Sequence, residues 1–177
     1  EVNACKNCGY CNMDLDKEIF EAKKVIQSPV YQKRLKKRKY PKKANEFSCL
    51  AIIFESKGDI VQAGWKYLNA AWICDDNKKK KQASECRNLA LEEFQAALNI
   101  NKTIMKTRGE QRLLFADINR RKGEFNIAEE ICFMAQTKKL NKNIRQLLNY
   151  EQHLCKIEDD TCHNVENGID YYRDGEI

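Results

Sequence analysis

The 177-residue sequence predicts an all-α protein built from antiparallel pairs of helices. Glycine and proline number only 7 and 2, too few for the frequent tight turns of an all-β fold. From residue 44 onward apolar residues recur three and four positions apart, which is the period of a helix facing a core. With a hydrophobic fraction of 42%, the chain can bury such a core.

A cysteine-rich segment, EVNACKNCGYCNMDL, occupies residues 1–15 and forms a knuckle separate from the helices. Cys5, Cys8 and Cys11 could belong to a metal knuckle, because thiolates with this spacing can bind one tetrahedral ion, or Cys8 and Cys11 could form a redox dithiol. A redox motif of this type needs strands around it, and the sequence that follows is helical throughout. The pattern therefore favours a zinc knuckle, complete or vestigial, and an unmetallated structural turn is the alternative.

Two short helices and a basic tract follow the knuckle. Asp14 or Asp16 can cap a helix that stops at Ser28-Pro29, and Ser28 with Pro29 then starts another. In the basic tract, KRLKKRKYPKK at residues 33–43, eight of eleven residues are cationic. They are Lys33, Arg34, Lys36, Lys37, Arg38, Lys39, Lys42 and Lys43. With a net charge of +6, binding of nucleic acid phosphates is one hypothesis and a solvated basic face is the other.

Residues 44–76 have the spacing of a helical hairpin. Phe47, Leu50, Ala51 and Phe54 recur on one helix, Gly58-Asp59 breaks it, and the next helix carries apolar residues at matching positions. Those positions are Ala63, Tyr67 and Ala70. The order of aromatic, small and turn residues in a unit of about 34 residues resembles a tetratricopeptide repeat. This resemblance implies a right-handed superhelix of antiparallel helix pairs.

A second, weaker copy of the pattern spans residues 109–140. Gly123 takes the turn, and Ala116, Ala128 and Ala135 take the small positions, whereas Asn119 stands where an aromatic residue is expected. Between the copies, residues 78–99 carry one apolar stripe and predict a single long helix. Residues 141–157 predict a final capping helix with a polar outer face. The helical domain as a whole is expected to cover residues 16–177.

Taken in order, CKNCGYC, YPKKANEFSCLAIIFESKGD, AGWKYLNAAWICDD, ASECR and DINRRKGEF are similar to a bacterial family of unknown function. That family combines a zinc-ribbon-like, cysteine-rich N-terminus with tetratricopeptide-like helices. The resemblance covers roughly residues 5–160. It implies that Cys5 and Cys8 are the second half of a ribbon whose first CxxC lies upstream, and it implies no particular activity.

Two further groups are candidate sites. A set near the far end could complete the metal site if the termini meet, although a helix end and a polar loop without metal is the preferred interpretation. That set is His153, Cys155, Cys162 and His163. Trp65 and Trp72 lie seven residues apart on one helix face and could line a ligand groove. Asp75 and Asp76 at the end of this helix are expected either to have a cationic partner such as Arg87 or to cap the next helix.

These observations predict a protein–protein interaction scaffold or adaptor that is not an enzyme. The sequence has no Gly-rich phosphate loop, no HExxH motif and no nucleophile with an identifiable base. No apolar run could cross a bilayer, and no signal-peptide pattern is present, so a cytoplasmic protein without a membrane partner is expected. A nucleic-acid-associated protein acting through residues 33–43 is the alternative, and a thiol oxidoreductase is a third hypothesis. Cys49, Cys74, Cys86 and Cys132 are expected to be small buried hydrophobic residues.

Overall fold

The computed structural model describes residues 1–171 and confirms the helical fold, with two compact units that meet at Ile104/Met105 in the sequence. The first unit begins with a strand pair, β1 (Asn3–Ala4) and β2 (Cys11–Asn12). Five helices follow: α1 (Ala22–Ile26), α2 (Pro29–Leu35), α3 (Lys42–Ser56), α4 (Ile60–Asp76) and α5 (Lys80–Asn99). The second unit contains α6 (Arg108–Arg120), α7 (Phe125–Gln136), α8 (Lys142–Lys156) and α9 (Val165–Asp170).

In the first unit α3 packs against α4, and α4 packs against α5. The contact surfaces are rich in alanine: Ala51, Ala63, Ala70, Ala83 and Ala90 have no exposed surface. Such small residues let helix axes approach, while Leu50, Tyr67 and Phe94 fill the space between them. The four cysteines that the sequence predicted to be buried are fully buried in the structure: Cys49, Cys74 and Cys86 in the first unit and Cys132 in the second.

The strand pair is antiparallel and is fastened to the helices by Tyr31 of α2. The Tyr31 hydroxyl donates to the carbonyl oxygen of Gly9 at 2.9 Å and accepts from the amide of Cys11 at 3.1 Å. Tyr31 and Cys11 are both inaccessible to solvent, and burial raises the pKa of the Tyr31 hydroxyl. The knuckle therefore shares the hydrophobic core of α2 and α3.

The helix predicted to begin after Asp14 or Asp16 is much shorter in the structure and starts only at Ala22. Two side chains of the knuckle bind the backbone that would have formed its first turns. The Tyr10 hydroxyl donates to the carbonyl oxygen of Lys17 at 2.7 Å and accepts from the amide of Ile19, while Asn12 Nδ2 donates to the same Lys17 oxygen. A backbone group that is bonded to one of these side chains is not available for a helical hydrogen bond, so a helix does not form over this segment.

In the second unit α6, α7 and α8 pack pairwise around Ala116, Cys132, Ala135 and Leu148. Helix α6 begins with a capping box in which Thr107 Oγ1 accepts from the Glu110 amide and Glu110 accepts from the Thr107 amide. Helix α8 begins at the side-chain cap of Asn141, close to the expected start. The short helix α9 packs on α8.

Candidate functional site

Cys5 and Cys8 lie together in the turn between β1 and β2. The Gly9 amide donates to the Cys5 carbonyl oxygen at 2.9 Å, and the Cys5 amide donates to the Tyr10 carbonyl oxygen at 2.7 Å. In this turn the backbone amide of Cys8, and to a smaller extent that of Asn7, donates a hydrogen bond to the Cys5 sulfur. These hydrogen bonds lower the pKa of the Cys5 thiol. A lowered thiol pKa favours the thiolate, which is the form that binds zinc.

Cys11 has different surroundings from the other two cysteines of the knuckle. Its fully buried thiol is within hydrogen-bonding reach of Cys49 on α3, and it also donates to the Gly9 carbonyl oxygen at 3.4 Å. Within residues 1–171, no group of three or more His, Cys, Asp or Glu side chains has a metal-binding arrangement. Cys5 and Cys8 therefore fit half of a tetrahedral thiolate site, and Cys11 is part of the core.

The basic tract is divided between internal contacts and solvent. Arg34 reaches inward to Ser48, Lys39 binds Glu85 at 3.2 Å, and Lys42 and Lys43 pair with Glu46. Lys43 also donates to the Val2 carbonyl oxygen at 2.6 Å, which fastens the first strand to α3. Within the described part of the chain, Lys33, Lys36 and Arg38 are exposed and form no ion pair. Half of the tract thus stabilises the first unit.

Trp65 and Trp72 do not share one environment. Trp65 packs edge-on against the buried ring of Phe94 on α5, with ring centroids 5.3 Å apart, whereas Trp72 is 41% exposed. Both terminal guanidinium nitrogens of Arg87 on α5 donate to the nearby Asp75, Nη1 at 3.2 Å. Arg87 is only 2% exposed, so the expected cationic partner of Asp75 is confirmed as a mostly buried ion pair joining α4 to α5.

The second unit contains a buried ionic cluster around Arg120. Its Nε donates to Glu151 at 2.7 Å, its Nη2 donates to Asp117 at 3.0 Å, and Nη1 donates to two backbone carbonyl oxygens. Those oxygens belong to Asp159 and Thr161, at 2.6 and 3.0 Å. Arg120 has no exposed surface, and burial together with the charge of Asp117 raises the pKa of Glu151 to about 7. One guanidinium thus joins α6, α8 and the segment after α8.

Of the residues that the sequence offered for metal completion, Cys162 and His163 lie in that segment, and His153 and Cys155 lie near the end of α8. Nδ1 of His163 lies 3.0 Å from the Tyr150 hydroxyl, and its Nε2 lies 3.0 Å from Asp159, so both ring nitrogens have hydrogen-bond partners. Burial raises the pKa of the Cys155 thiol to about 11, and Cys162 is exposed. His153 packs against the ring of Tyr171, with centroids 4.8 Å apart. Nε2 of His163 also lies 3.2 Å from the Thr161 hydroxyl, so binding of a metal by either ring nitrogen would require existing hydrogen bonds to break.

Helix α7 presents an exposed apolar surface, which we call the α7 surface and define as Ile127, Phe133 and Met134. Their exposed fractions are 48%, 60% and 47%, although α7 also buries Ala128, Cys132 and Ala135. Sequence reasoning assigned this helix only to packing. The available signal was its composition: in FNIAEEICFMAQ, apolar residues surround the helix instead of keeping to one stripe.

No helix among the described residues has the length and hydropathy needed to cross a bilayer. The model of a family described as "Uncharacterized protein conserved in bacteria (DUF2225)" matches residues 1–157. That range contains the knuckle and helices α1 to α8. Comparison with curated proteins and comparison with solved structures each gave no match.

Proposed function

The chain belongs to this bacterial family, and we propose that it is a non-enzymatic protein–protein interaction module. Its helix pairs act as tetratricopeptide-like repeats, and a structural zinc knuckle precedes them. The α7 surface is the observation that carries this proposal. Large apolar side chains grouped on an exposed face favour burial against another protein.

The two helix hairpins support the repeat assignment. Gly58 lies in the α3–α4 turn with φ of 71°, and Gly123 occupies the corresponding α6–α7 turn with φ of 83°. A side chain at either glycine would be strained in this left-handed conformation. The alanines at the small positions of both hairpins have no exposed surface: they are Ala51, Ala63, Ala70, Ala116, Ala128 and Ala135. Asn119 replaces an aromatic residue and satisfies its own amide by donating to the Phe115 carbonyl oxygen.

The chemistry of the α7 surface indicates an amphipathic helix as the partner. Ile127 and Met134 lie seven residues apart, which places them on the same side of α7, and Phe133 lies about 100° around the helix from Met134, at the edge of the exposed face. A partner helix with apolar residues at i, i+3 or i+4 and i+7 would bury such a row. Exposed Glu130 lies on the same helix, so a partner with a flanking Lys or Arg is favoured.

Site-specific photocrosslinking in the native host tests this function. With a photoreactive phenylalanine analogue in place of Phe133, we expect one dominant protein adduct, and with the analogue at exposed Arg145 of α8 we expect none. Once that partner is purified, Phe133→Ser should weaken its binding at least about tenfold, as the loss of a central apolar contact does. Arg145→Ser is the matched control. Identical adducts from both positions, or unchanged affinity of Phe133→Ser, would contradict the proposed surface.

The zinc knuckle makes a separate prediction. Cys5 and Cys8 would supply two thiolates, and the metal would fix the turn between β1 and β2. Elemental analysis of protein purified without chelators should find bound zinc, and Cys8→Ser should weaken zinc binding by more than the roughly 10–100-fold loss of affinity that follows removal of an outer hydrogen-bond partner, because it removes a thiolate ligand outright. Cys11→Ser should retain zinc, since its thiol packs with Cys49. Equal zinc content in the Cys8→Ser variant and the unmodified protein would rule out this site.

A further inference from the structure

Within residues 1–171, Arg34 of α2 points a half-buried guanidinium toward the core of the first unit and forms no ion pair with a carboxylate. Its Nη2 donates to Ser48 Oγ at 2.5 Å and to the Cys86 sulfur at 3.3 Å, and its guanidinium carbon lies 4.1 Å from the centre of the Tyr40 ring. Its Nε is buried without a hydrogen-bond partner in the described part of the chain. Within residues 1–171, two groups that can become anions lie against Arg34, the Cys86 sulfur and the Tyr40 hydroxyl. Burial raises the pKa of Tyr40 to about 12, so Cys86 is the one of the two that can ionise near neutral pH.

Cys86 of α5 also lies within hydrogen-bonding reach of the Cys74 thiol on α4. Both residues are fully buried, and both are reduced. The hydrogen bond from Cys74 and the charge of Arg34 lower the pKa of Cys86 to about 7, whereas the same hydrogen bond raises the pKa of Cys74. One thiol of the pair is therefore prepared as a nucleophile and the other retains its proton.

From this arrangement we propose that Cys74 and Cys86 form a redox-active dithiol that hydroperoxides oxidise to a disulfide. Arg34 is the positioning residue that holds Cys86 as the thiolate. The proposal does not depend on the α7 surface or on zinc. The oxidoreductase hypothesis from the sequence concerned Cys8 and Cys11 of the knuckle, whereas Cys74 and Cys86 belong to the helical core.

The reaction with hydrogen peroxide proceeds in two steps. The Cys86 thiolate attacks one peroxide oxygen, an S–O bond forms, the O–O bond breaks, and the departing hydroxide takes a proton from solvent to become water. The Cys74 sulfur then attacks the Cys86 sulfenic acid, an S–S bond forms, and the S–O bond breaks. A second water leaves with the proton of Cys74. The two sulfurs lose two electrons, which reduce one peroxide to two waters.

Access to the buried pair comes from its position near the end of a hairpin. Helix α4 ends at Asp76 and α5 begins at Lys80, so Cys74 lies in the last turn of α4. Helix ends open locally at a lower free energy than helix centres, and hydrogen peroxide is little larger than water. The charged and titratable groups around the cysteine pair come from three helices and the segment before α3. They are Arg34 of α2, Tyr40 before α3, Asp75 of α4, and Glu85 and Arg87 of α5, and the polar Ser48 of α3 lies among them.

Peptide mapping of the full-length protein tests the proposal. Reduced protein is treated with hydrogen peroxide at pH 7, the remaining thiols are alkylated in denaturant, and tryptic peptides are analysed by mass spectrometry. We expect a Cys74–Cys86 disulfide to form before Cys132 is oxidised, because Cys132 is equally buried and burial raises the pKa of its thiol. Cys74→Ser should instead accumulate a sulfenic acid on Cys86 that dimedone traps.

Arg34 variants separate a positioning role from a purely structural one. Arg34→Met should slow oxidation of Cys86 at pH 7 several-fold, because loss of the guanidinium charge and of its hydrogen bond raises the pKa of the thiol, while the hydrogen bond from Cys74 remains. Arg34→Lys should restore part of the rate, and at pH 9.5 the rates of the three proteins should converge. Oxidation of Cys86 no faster than that of Cys132 would overturn the proposal. Equal rates at pH 7 with and without Arg34 would do the same.

Discussion

Arg120→Met is expected to destabilise the second unit by about 3–5 kcal/mol, the range observed when one member of a buried ion pair is removed. Arg120 has no exposed surface and donates to two carboxylates and two backbone carbonyl oxygens. Methionine can replace the volume of its aliphatic part but none of those hydrogen bonds. Glu151 would then remain buried without this donor, and the carbonyl oxygens of Asp159 and Thr161 would lose it as well.

The measurement for Arg120→Met is hydrogen exchange of the full chain followed by mass spectrometry. Amides of α6 and α8 should lose protection in the variant, whereas amides of α3 and α4 in the first unit serve as an internal reference. Arg108→Ala is the matched control, because Arg108 is exposed at the start of the same helix. Protection of α6 in Arg120→Met equal to that in Arg108→Ala would show that the cluster adds nothing to stability.

A second substitution separates the ion pair from the rest of the cluster. In the double variant Arg120→Met/Glu151→Leu, no buried carboxylate is left at position 151, so the loss should be smaller than in Arg120→Met alone. Non-additivity of this kind is expected for residues in direct contact. A double variant that is less stable than the single one would indicate that Glu151 has a favourable role apart from Arg120.

The helices of this protein were predictable because their signals are local. Apolar spacing, the turn glycines at 58 and 123, and the cap at Ser28 all act within a few residues of one another. The first helix was the exception, since the backbone from Lys17 to Ile19 binds Tyr10 and Asn12 of the knuckle. The Asp75–Arg87 pair was predictable for the same reason as the helices: it joins neighbouring helices across a short turn.

The candidate sites were less predictable because each depends on contacts between distant positions. Arginine is rarely fully buried, so nothing in the sequence distinguished Arg120 from the exposed cations around it. The direction of Arg34, toward Cys86 and away from the rest of the basic tract, depends on how α2 lies on α3 and α5. The proximity of Cys74 to Cys86 depends on the register of α4 and α5, which spacing along the sequence does not determine.

The cluster around Arg120 should also make stability depend on pH, and Glu151→Gln should remove that dependence. In the folded protein burial raises the pKa of Glu151 to about 7, compared with about 4.3 for an unperturbed glutamate. A carboxyl group whose pKa is raised by folding stabilises the folded state while it is protonated. This contribution is complete below pH 4 and is lost as the pH rises to 7. Asp159 acts in another range, because hydrogen bonds from Thr161 lower its pKa to about 2.

Unfolding free energies of the unmodified protein and of Glu151→Gln should therefore diverge as the pH rises. At pH 4.5 the two proteins should be similar, since glutamine has nearly the shape of protonated glutamate. By pH 8 the unmodified protein should have lost up to about 3 kcal/mol relative to the variant, at 1.36 kcal/mol for each unit of pKa difference. Taking the difference between the two proteins cancels the titration of other groups. A difference that stays constant from pH 4.5 to 8, or that changes in favour of the unmodified protein, would mean that Arg120 holds Glu151 as a carboxylate throughout this range.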